Sequence, residues 1–142
     1  MKVRDVMTQR PIHIHKDETV AVAARTLTHY NIGAVPVCGT DGRLCGMVTD
    51  RDLVTRCLAA GKDPEKTKVA DVMTGTVITA GPDMKATEAA RLMGTRQVRR
   101  LPVVENGRLC GIVSLGDLAL NEKSDASAGA ALSQISSNIS VR

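Results

Sequence analysis

The sequence GMVTDRD at residues 46–52 returns as GIVSLGD at residues 111–117. Each copy has a glycine, two apolar residues, a hydroxyl side chain and, three residues after the hydroxyl, an aspartate. An apolar run that ends in Thr or Ser, with an acidic residue three positions later, is typical of a strand that enters a helix through a capping box. The sequence therefore encodes the same strand-to-helix junction twice.

The duplication extends over most of the chain. DVMT at residues 5–8 recurs 66 residues later at residues 71–74, and Pro36 recurs as Pro102 at the same offset. One residue is lost where GTDGRLCG becomes ENGRLCG, so the quoted stretches match at an offset of 65. The pattern predicts one repeat over residues 1–62, a second over residues 63–122, and a tail over residues 123–142 that is helical or disordered.

Each repeat shows the element order β-α-β-β-α. In the first repeat, IHI at residues 12–14 predicts a strand, Asp17 predicts a helix N-cap, and AVPVC and LCGMVT predict a hairpin joined at GTDG. The apolar residues of the next helix share one predicted face: Leu53, Val54, Cys57 and Leu58. The second repeat matches these elements with VIT, ATEAARLM, RLPVV, LCGIVS and DLAL.

The length of a repeat indicates how the halves assemble. About 60 residues bury too little apolar surface to be secure alone, so the two halves are expected to support each other. The predicted fold class is mixed α/β, of the α+β type, with two pseudo-symmetric units packed sheet to sheet. The unpaired apolar helix faces also predict a homodimer.

Composition argues against several classes of protein. The chain has 142 residues, of which 43% are hydrophobic and 24% charged, and no apolar run approaches the roughly 18 residues of a membrane span. The first ten residues carry charges where a secretory signal has an apolar core, so we expect a cytoplasmic location. A net charge of only +4 and the absence of Phe and Trp argue against nucleic-acid binding.

The cysteines and histidines suggest no catalytic or metal site. The cysteines show no spacing typical of zinc ligands, so we expect reduced, mostly buried thiols at Cys38, Cys45, Cys57 and Cys110. A disulfide between Cys38 and Cys45 across the hairpin is the alternative. The chain has three histidines, and none lies near an obvious nucleophile; a glycine loop that cradles phosphate is also missing from the sequence. We therefore expect no enzyme activity and no required cofactor.

The repeated DVMT, the VPV and LPV strands, and the two GhhTxxD-like junctions resemble the cystathionine β-synthase (CBS) domain pair, or Bateman module. The resemblance covers the chain from Val3 to about Leu120, and because little else remains it is similar to a standalone bacterial or archaeal CBS pair. It implies a regulatory or sensor module that binds an adenosine-containing ligand, such as AMP, ADP, ATP or S-adenosylmethionine, usually as a homodimer.

The resemblance also implies two ligand sites. In the first, Asp52 holds the ribose, apolar side chains face the base, and two arginines before the LPV strand reach the phosphates. Its residues are Met47, Thr49, Asp52, Val77, Ile78, Arg99 and Arg100. In the second site, uncharged residues replace the two arginines, so phosphate affinity is expected to be lower. Its residues are Pro11, Ile12, Gly33, Ala34, Ile112, Ser114 and Asp117.

Two alternatives remain open from the residues alone. The spacing of Thr49 to Asp52 and of Ser114 to Asp117 is explained by capping boxes without any ligand. The apolar site residues are equally compatible with ordinary core positions, and the two arginines with a solvated charged patch. The rival function is a ligand-free CBS-fold dimer that acts as a stress-related protein interaction module.

Overall fold

The computed structural model describes residues 1–120 and Ile135, so the predicted tail lies outside the described residues except at that position. The chain forms two compact units. Residues 12–77 make up the first, called here the central unit. Residues 1–11 and the chain from Ile78 onward make up the second, called here the split unit.

The secondary structure follows the predicted order in the first repeat, and in the second repeat from its first helix onward. Within residues 1–120 the strands and helices, in chain order, are β1 (Thr8–Gln9), β2 (Ile14–His15), α1 (Val20–Tyr30), β3 (Ala34–Cys38), β4 (Leu44–Thr49), α2 (Asp50–Leu53), α3 (Ala86–Arg96), β5 (Arg100–Glu105), β6 (Arg108–Ser114) and α4 (Leu115–Ala119). A π-helical turn, Val54–Leu58, continues α2. None of these helices is long and apolar enough to cross a membrane.

Each unit contains a small three-stranded sheet. In the central unit β2 pairs parallel to β3, and β3 pairs antiparallel to β4. In the split unit β6 lies between β1 and β5 and is antiparallel to both. The predicted mixed α/β fold with two small sheets and flanking helices is confirmed.

The cores are built from alternating strand residues and one face of each long helix. In α1 the buried positions Val20, Ala23 and Leu27 recur at helical spacing and face the central core. Strands β3 and β4 add Val35, Val37 and Val48, all without solvent exposure. The split unit repeats this arrangement with Ala86, Ala89, Ala90, Met93, Leu101, Val103 and Val113.

The DVMT-containing stretches, residues 3–8 and 69–74, are termed here the docking segments. Each begins with one 3-10 turn that buries a valine completely, Val3 in one case and Val69 in the other. The Val3 amide donates to the Met84 carbonyl at 2.8 Å, and the Val69 amide donates to the Glu18 carbonyl at 2.8 Å. The docking segment that precedes each repeat in sequence therefore packs in the unit formed by the other repeat.

Each docking segment pairs antiparallel with the strand of a duplicated motif, beside the glycine of that motif. Thr74 and Met47 exchange two backbone hydrogen bonds, of 2.9 and 3.0 Å, and Thr8 is the antiparallel register partner of Ile112 in the β1–β6 pair. A Cβ atom on Gly46 would lie 2.5 Å from the Thr74 carbonyl oxygen. This glycine is explained by the close approach of another backbone.

Three local predictions were wrong. The N-cap of α1 is Thr19, whose hydroxyl accepts from the Val22 amide at 3.3 Å, whereas Asp17 forms an ion pair with Lys68 at 3.7 Å. The strand predicted at residues 12–14 covers Ile14–His15 instead. Residues 77–79 form no strand, and the adjacent Ala80 makes a single parallel bridge to Val103.

The helix after β4 does not present one continuous apolar face. Cys57 is buried and Leu53 is half-buried against the central core, as predicted. Val54 and Leu58, however, are 53% and 72% exposed, so the four residues do not share a face. Val54 and Leu58 instead form a separate exposed apolar pair, one helical turn apart.

Candidate functional site

Both duplicated motifs form the capping box that the spacing predicts. The Thr49 hydroxyl accepts from the Asp52 amide at 3.0 Å, and Asp52 Oδ2 accepts from the Thr49 amide at 3.0 Å. The Ser114 hydroxyl accepts from the Asp117 amide at 3.1 Å, and Asp117 Oδ2 accepts from the Ser114 amide at 3.0 Å. The capping role of both aspartates is therefore confirmed.

The capping bonds leave free acceptor positions on both aspartate carboxylates. In each box the carboxylate receives the cap amide on Oδ2 alone, whereas an ionised carboxylate offers about four lone-pair positions on its two oxygens. The second oxygen can accept the hydroxyl groups of a ligand while the cap stays in place. Capping and ligand binding are thus compatible in one side chain.

Asp52 is unusually buried for a charged residue. Only 9% of it is exposed, and carboxylates are rarely buried unless they are paired. Its Oδ1 atom lies 3.8 Å from Nε of Arg56, one turn further along the helix. Burial and a cationic neighbour keep this carboxylate in one orientation.

The central unit brings Gly33 and Ala34 next to the Thr49–Asp52 box. Ala34 is the register partner of Thr49 in the β3–β4 ladder, and the Asp50 amide donates to the Gly33 carbonyl at 3.0 Å. The Asp50 carboxylate also lies beside Gly33, 3.6 Å from the position a Cβ atom would occupy. A second carboxylate therefore lies near this box, in addition to the Arg56 guanidinium beside Asp52.

The split unit places Arg99 and Arg100 next to the Ser114–Asp117 box. Arg100 is the register partner of Ser114 in the β5–β6 ladder, and the Leu115 amide donates to the Arg99 carbonyl at 2.8 Å. Both arginines are exposed. Two cations here occupy the positions that Gly33 and Ala34 hold in the central unit.

The predicted site residues divide between the two units. The central unit contains Ile12, Gly33, Ala34, Met47, Thr49, Asp52 and Val77, and the split unit contains Pro11, Ile78, Arg99, Arg100, Ile112, Ser114 and Asp117. Each of the two predicted ligand sites includes residues from both units. The assignment of residues to each site stays a prediction. Within one unit the register groups Arg100 with Ser114, whereas the sequence-based assignment groups it with Thr49.

Two residues beside the Thr49–Asp52 box were missed from the sequence. Arg56 contacts Asp52 and also donates from Nη1 to the Met73 carbonyl at 3.1 Å and to the Val72 carbonyl at 3.4 Å. The sequence signal for this contact is the spacing of four residues between Asp52 and Arg56, which places both side chains on one face of a helix. Asp50 was missed because an acidic residue in a first helical turn is ordinary.

The cysteines are free thiols in the described part of the chain, so the alternative disulfide is not formed. Burial raises the pKa of the Cys38 thiol, and the neighbouring Cys45 adds to the rise. Burial likewise raises the pKa of the Cys110 thiol. Among the described residues, no group of three or more His, Cys, Asp or Glu side chains is arranged to hold a metal ion.

The duplicated architecture corresponds to a known family. The CBS domain matches the chain twice, over residues 3–59 and 69–122. The chain belongs to the CBS domain family. The CBS domain-containing protein YhcV of Bacillus subtilis is 42% identical over 134 residues, which cover 94% of each chain. The tandem CBS pair expected from the sequence is confirmed.

Solved CBS structures show the same fold, some with ligands. The structure of Hypoxic Response Protein I with two coordinated zinc ions has a TM-score of 0.78 at 36% identity, covering 85% of this chain and 98% of its own. The CBS pair of protein MJ0100, in complex with 5-methylthioadenosine and S-adenosyl-L-methionine, has a TM-score of 0.71 at 30% identity, covering 84% and 94%. CBSX2 in complex with AMP has a TM-score of 0.72 at 29% identity, covering 82% and 91%.

Proposed function

We propose that this CBS pair is a regulatory or sensor module that binds an adenosine-containing ligand. The observation that carries the proposal is the pair of capping boxes. Each box fixes an aspartate, and its capping bond uses only Oδ2. Oδ1 of Asp52 faces Arg56 Nε at 3.8 Å, which is beyond hydrogen-bond distance, so this oxygen keeps acceptor positions for a ligand. A diol such as the ribose 2′- and 3′-hydroxyls is the natural donor for the remaining oxygen. The adenosine compounds bound to MJ0100 and CBSX2 support the same ligand class.

The proposed ligand contacts follow the two sets given by the sequence. Asp52 and Asp117 bind ribose, and the apolar residues Met47, Val77, Ile78, Pro11, Ile12 and Ile112 supply slots for the base. Arg99 and Arg100 bind phosphate, because a planar guanidinium matches phosphate oxygens in a bidentate manner. Binding is proposed to occur without turnover, so purified protein should release no phosphate from ATP.

A thermal-shift series with AMP, ADP, ATP, S-adenosylmethionine and adenosine tests the proposal. A ligand at about 100 times its dissociation constant stabilises the folded state by roughly 2.7 kcal/mol, which raises the melting temperature measurably. Guanosine and cytidine serve as matched controls for the base. If none of the adenosine compounds raises the melting temperature at millimolar concentration, the proposal is wrong.

The exposed pair Val54 and Leu58 supports a second proposal, that the chain assembles as a homodimer through the helix after β4. Two large apolar side chains that are 53% and 72% exposed, one turn apart, are suited to burial against a second copy. A ligand-free interaction module would use the same surface. Assembly and ligand binding are separable, since Val54 and Leu58 belong to neither predicted ligand set.

We expect Leu58→Lys to convert a dimer to a monomer, because the lysine charge would have to be desolvated in the interface. Light scattering at micromolar concentration measures the mass directly. Thr55→Lys, an exposed change in the same helical turn, controls for added charge. A wild-type protein that is monomeric at micromolar concentration would contradict the prediction.

A further inference from the structure

Arg56 connects the Asp52 carboxylate to the docking segment of the central unit. Its Nε lies 3.8 Å from Asp52 Oδ1, and its Nη1 donates to the carbonyls of Met73 and Val72 at 3.1 and 3.4 Å. A guanidinium is a rigid planar group with five N–H donors, so its two ends cannot move independently. One guanidinium therefore contacts both the Asp52 carboxylate and the docking segment.

The same docking segment also contacts β4 directly. Thr74 exchanges two backbone hydrogen bonds with Met47, and Val69 and Val72 are buried completely in the central core. Met47 and Asp52 lie on either side of the Thr49 cap. Residues 69–74 thus contact the elements at both ends of the Thr49–Asp52 box.

We propose that Arg56 is a positioning residue that couples ligand binding at Asp52 to the docking of residues 69–74 on β4. This inference rests on the proposed function, since it assigns a regulatory link to the same site. A ligand hydroxyl requires the carboxylate orientation that Arg56 supports, and the docked segment requires the guanidinium orientation that Asp52 supports. Ligand and docked segment favour one arrangement, so each stabilises the other, and the coupling is reciprocal.

The chain contains an internal control for this link. The sequence position equivalent to Arg56 in the second repeat is Asn121, which carries no guanidinium. The Met7 amide is the counterpart of the Met73 amide. Met7 donates to the Val3 carbonyl at 2.9 Å, and Met73 donates to the Val69 carbonyl at 2.9 Å. A change at Asp52 should therefore reach residues 69–74, whereas a change at Asp117 should not reach residues 3–8.

Amide hydrogen exchange on the full-length, ligand-free protein tests the link itself. We expect Asp52→Asn and Arg56→Ala each to speed exchange at Met73 and Thr74 by about fivefold, and the double variant to exceed Arg56→Ala only slightly. Arg56→Lys should recover part of the protection, because it keeps a cation beside Asp52. Asp117→Asn should leave the Met7 amide unchanged, and melting curves confirm that each variant is folded.

A second arm adds adenosine, which has no phosphate. Saturating adenosine should slow exchange at Met73 and Thr74 in the wild-type protein and should have little effect there in Arg56→Ala. By reciprocity, Arg56→Ala should weaken adenosine binding by about fivefold, as measured by calorimetry. Arg51→Ala, a change of an exposed arginine on the same helix, should leave both readouts unaltered.

The outcomes separate this inference from the proposed function. If no compound of the thermal-shift series binds the wild-type protein, the proposed function is overturned and, with it, the role of a ligand at Asp52; if only a phosphorylated compound binds, that compound replaces adenosine in this arm. Additive effects of Asp52→Asn and Arg56→Ala in the ligand-free protein would overturn the Arg56 link itself. So would ligand-induced protection of residues 69–74 that is the same in Arg56→Ala as in the wild type.

Discussion

Gly46→Ala is expected to destabilise the protein by about 3 kcal/mol, because the new methyl group would lie 2.5 Å from the Thr74 carbonyl oxygen. That atom belongs to the backbone and is held by its hydrogen bond from the Met47 amide at 3.0 Å. Relief of the clash requires the docking segment to move away from β4 and to give up this bond. The melting temperature should fall by roughly 10 °C in a thermal scan.

Gly75→Ala and Gly111→Ala provide graded controls for this effect. A Cβ atom on Gly75 would meet nothing within 4 Å, so that variant should melt close to the wild type. On Gly111 the nearest atom, at 2.5 Å, is the sulfur of Met7, whose side chain can rotate, and the Thr8 carbonyl oxygen lies at 3.0 Å. Its effect should be intermediate, and equal melting temperatures for Gly46→Ala and Gly75→Ala would refute the explanation.

Asp52→Ala is expected to weaken adenosine nucleotide binding by about tenfold to a hundredfold. Losing hydrogen bonds to a charged carboxylate typically costs about 1.5 to 3 kcal/mol, which corresponds to that range of dissociation constants. Isothermal titration with AMP measures the change. Asp117→Ala, which removes the equivalent cap in the other unit, is the matched control and should weaken binding much less if phosphate binds beside Asp52.

Arg100→Ala completes this experiment, because it distinguishes a phosphate contact from a general loss of structure. AMP affinity should fall while adenosine affinity stays nearly constant, since adenosine carries no phosphate. The register that pairs Arg100 with Ser114 makes the comparison of the two aspartates informative. If Asp117→Ala removes AMP binding and Asp52→Ala does not, the arginines serve the Ser114–Asp117 box and the sequence-based grouping is wrong.

Much of the fold was accessible from sequence because the repeat supplies every local signal twice. The hairpin strands β3, β4, β5 and β6 carry clear apolar runs around turn residues, and the structure places them as expected. The two capping boxes were predicted from a three-residue spacing and are formed. Local chemistry determines these elements, so local patterns were sufficient to find them.

The errors arose where distant contacts override local preference. The Thr19 cap prevails over Asp17 because Asp17 is drawn into an ion pair with Lys68, which is distant in sequence. The exchange of docking segments was missed for the same reason, because no periodicity in DVMT reveals which sheet Val3 or Val69 enters. Arg56 acquires its role only through carbonyls 16 and 17 residues away.

The exchange of docking segments limits how this chain can be divided. A gene fragment cut at the repeat boundary would encode one docking segment, such as that of Val69. It would also encode a core that packs the docking segment of the other repeat. In a pair of such fragments, the docking segment of each copy would pack in the core of the other copy, as the two repeats do within a single chain. An isolated repeat is therefore expected to fold only as a pair of copies that exchange these segments.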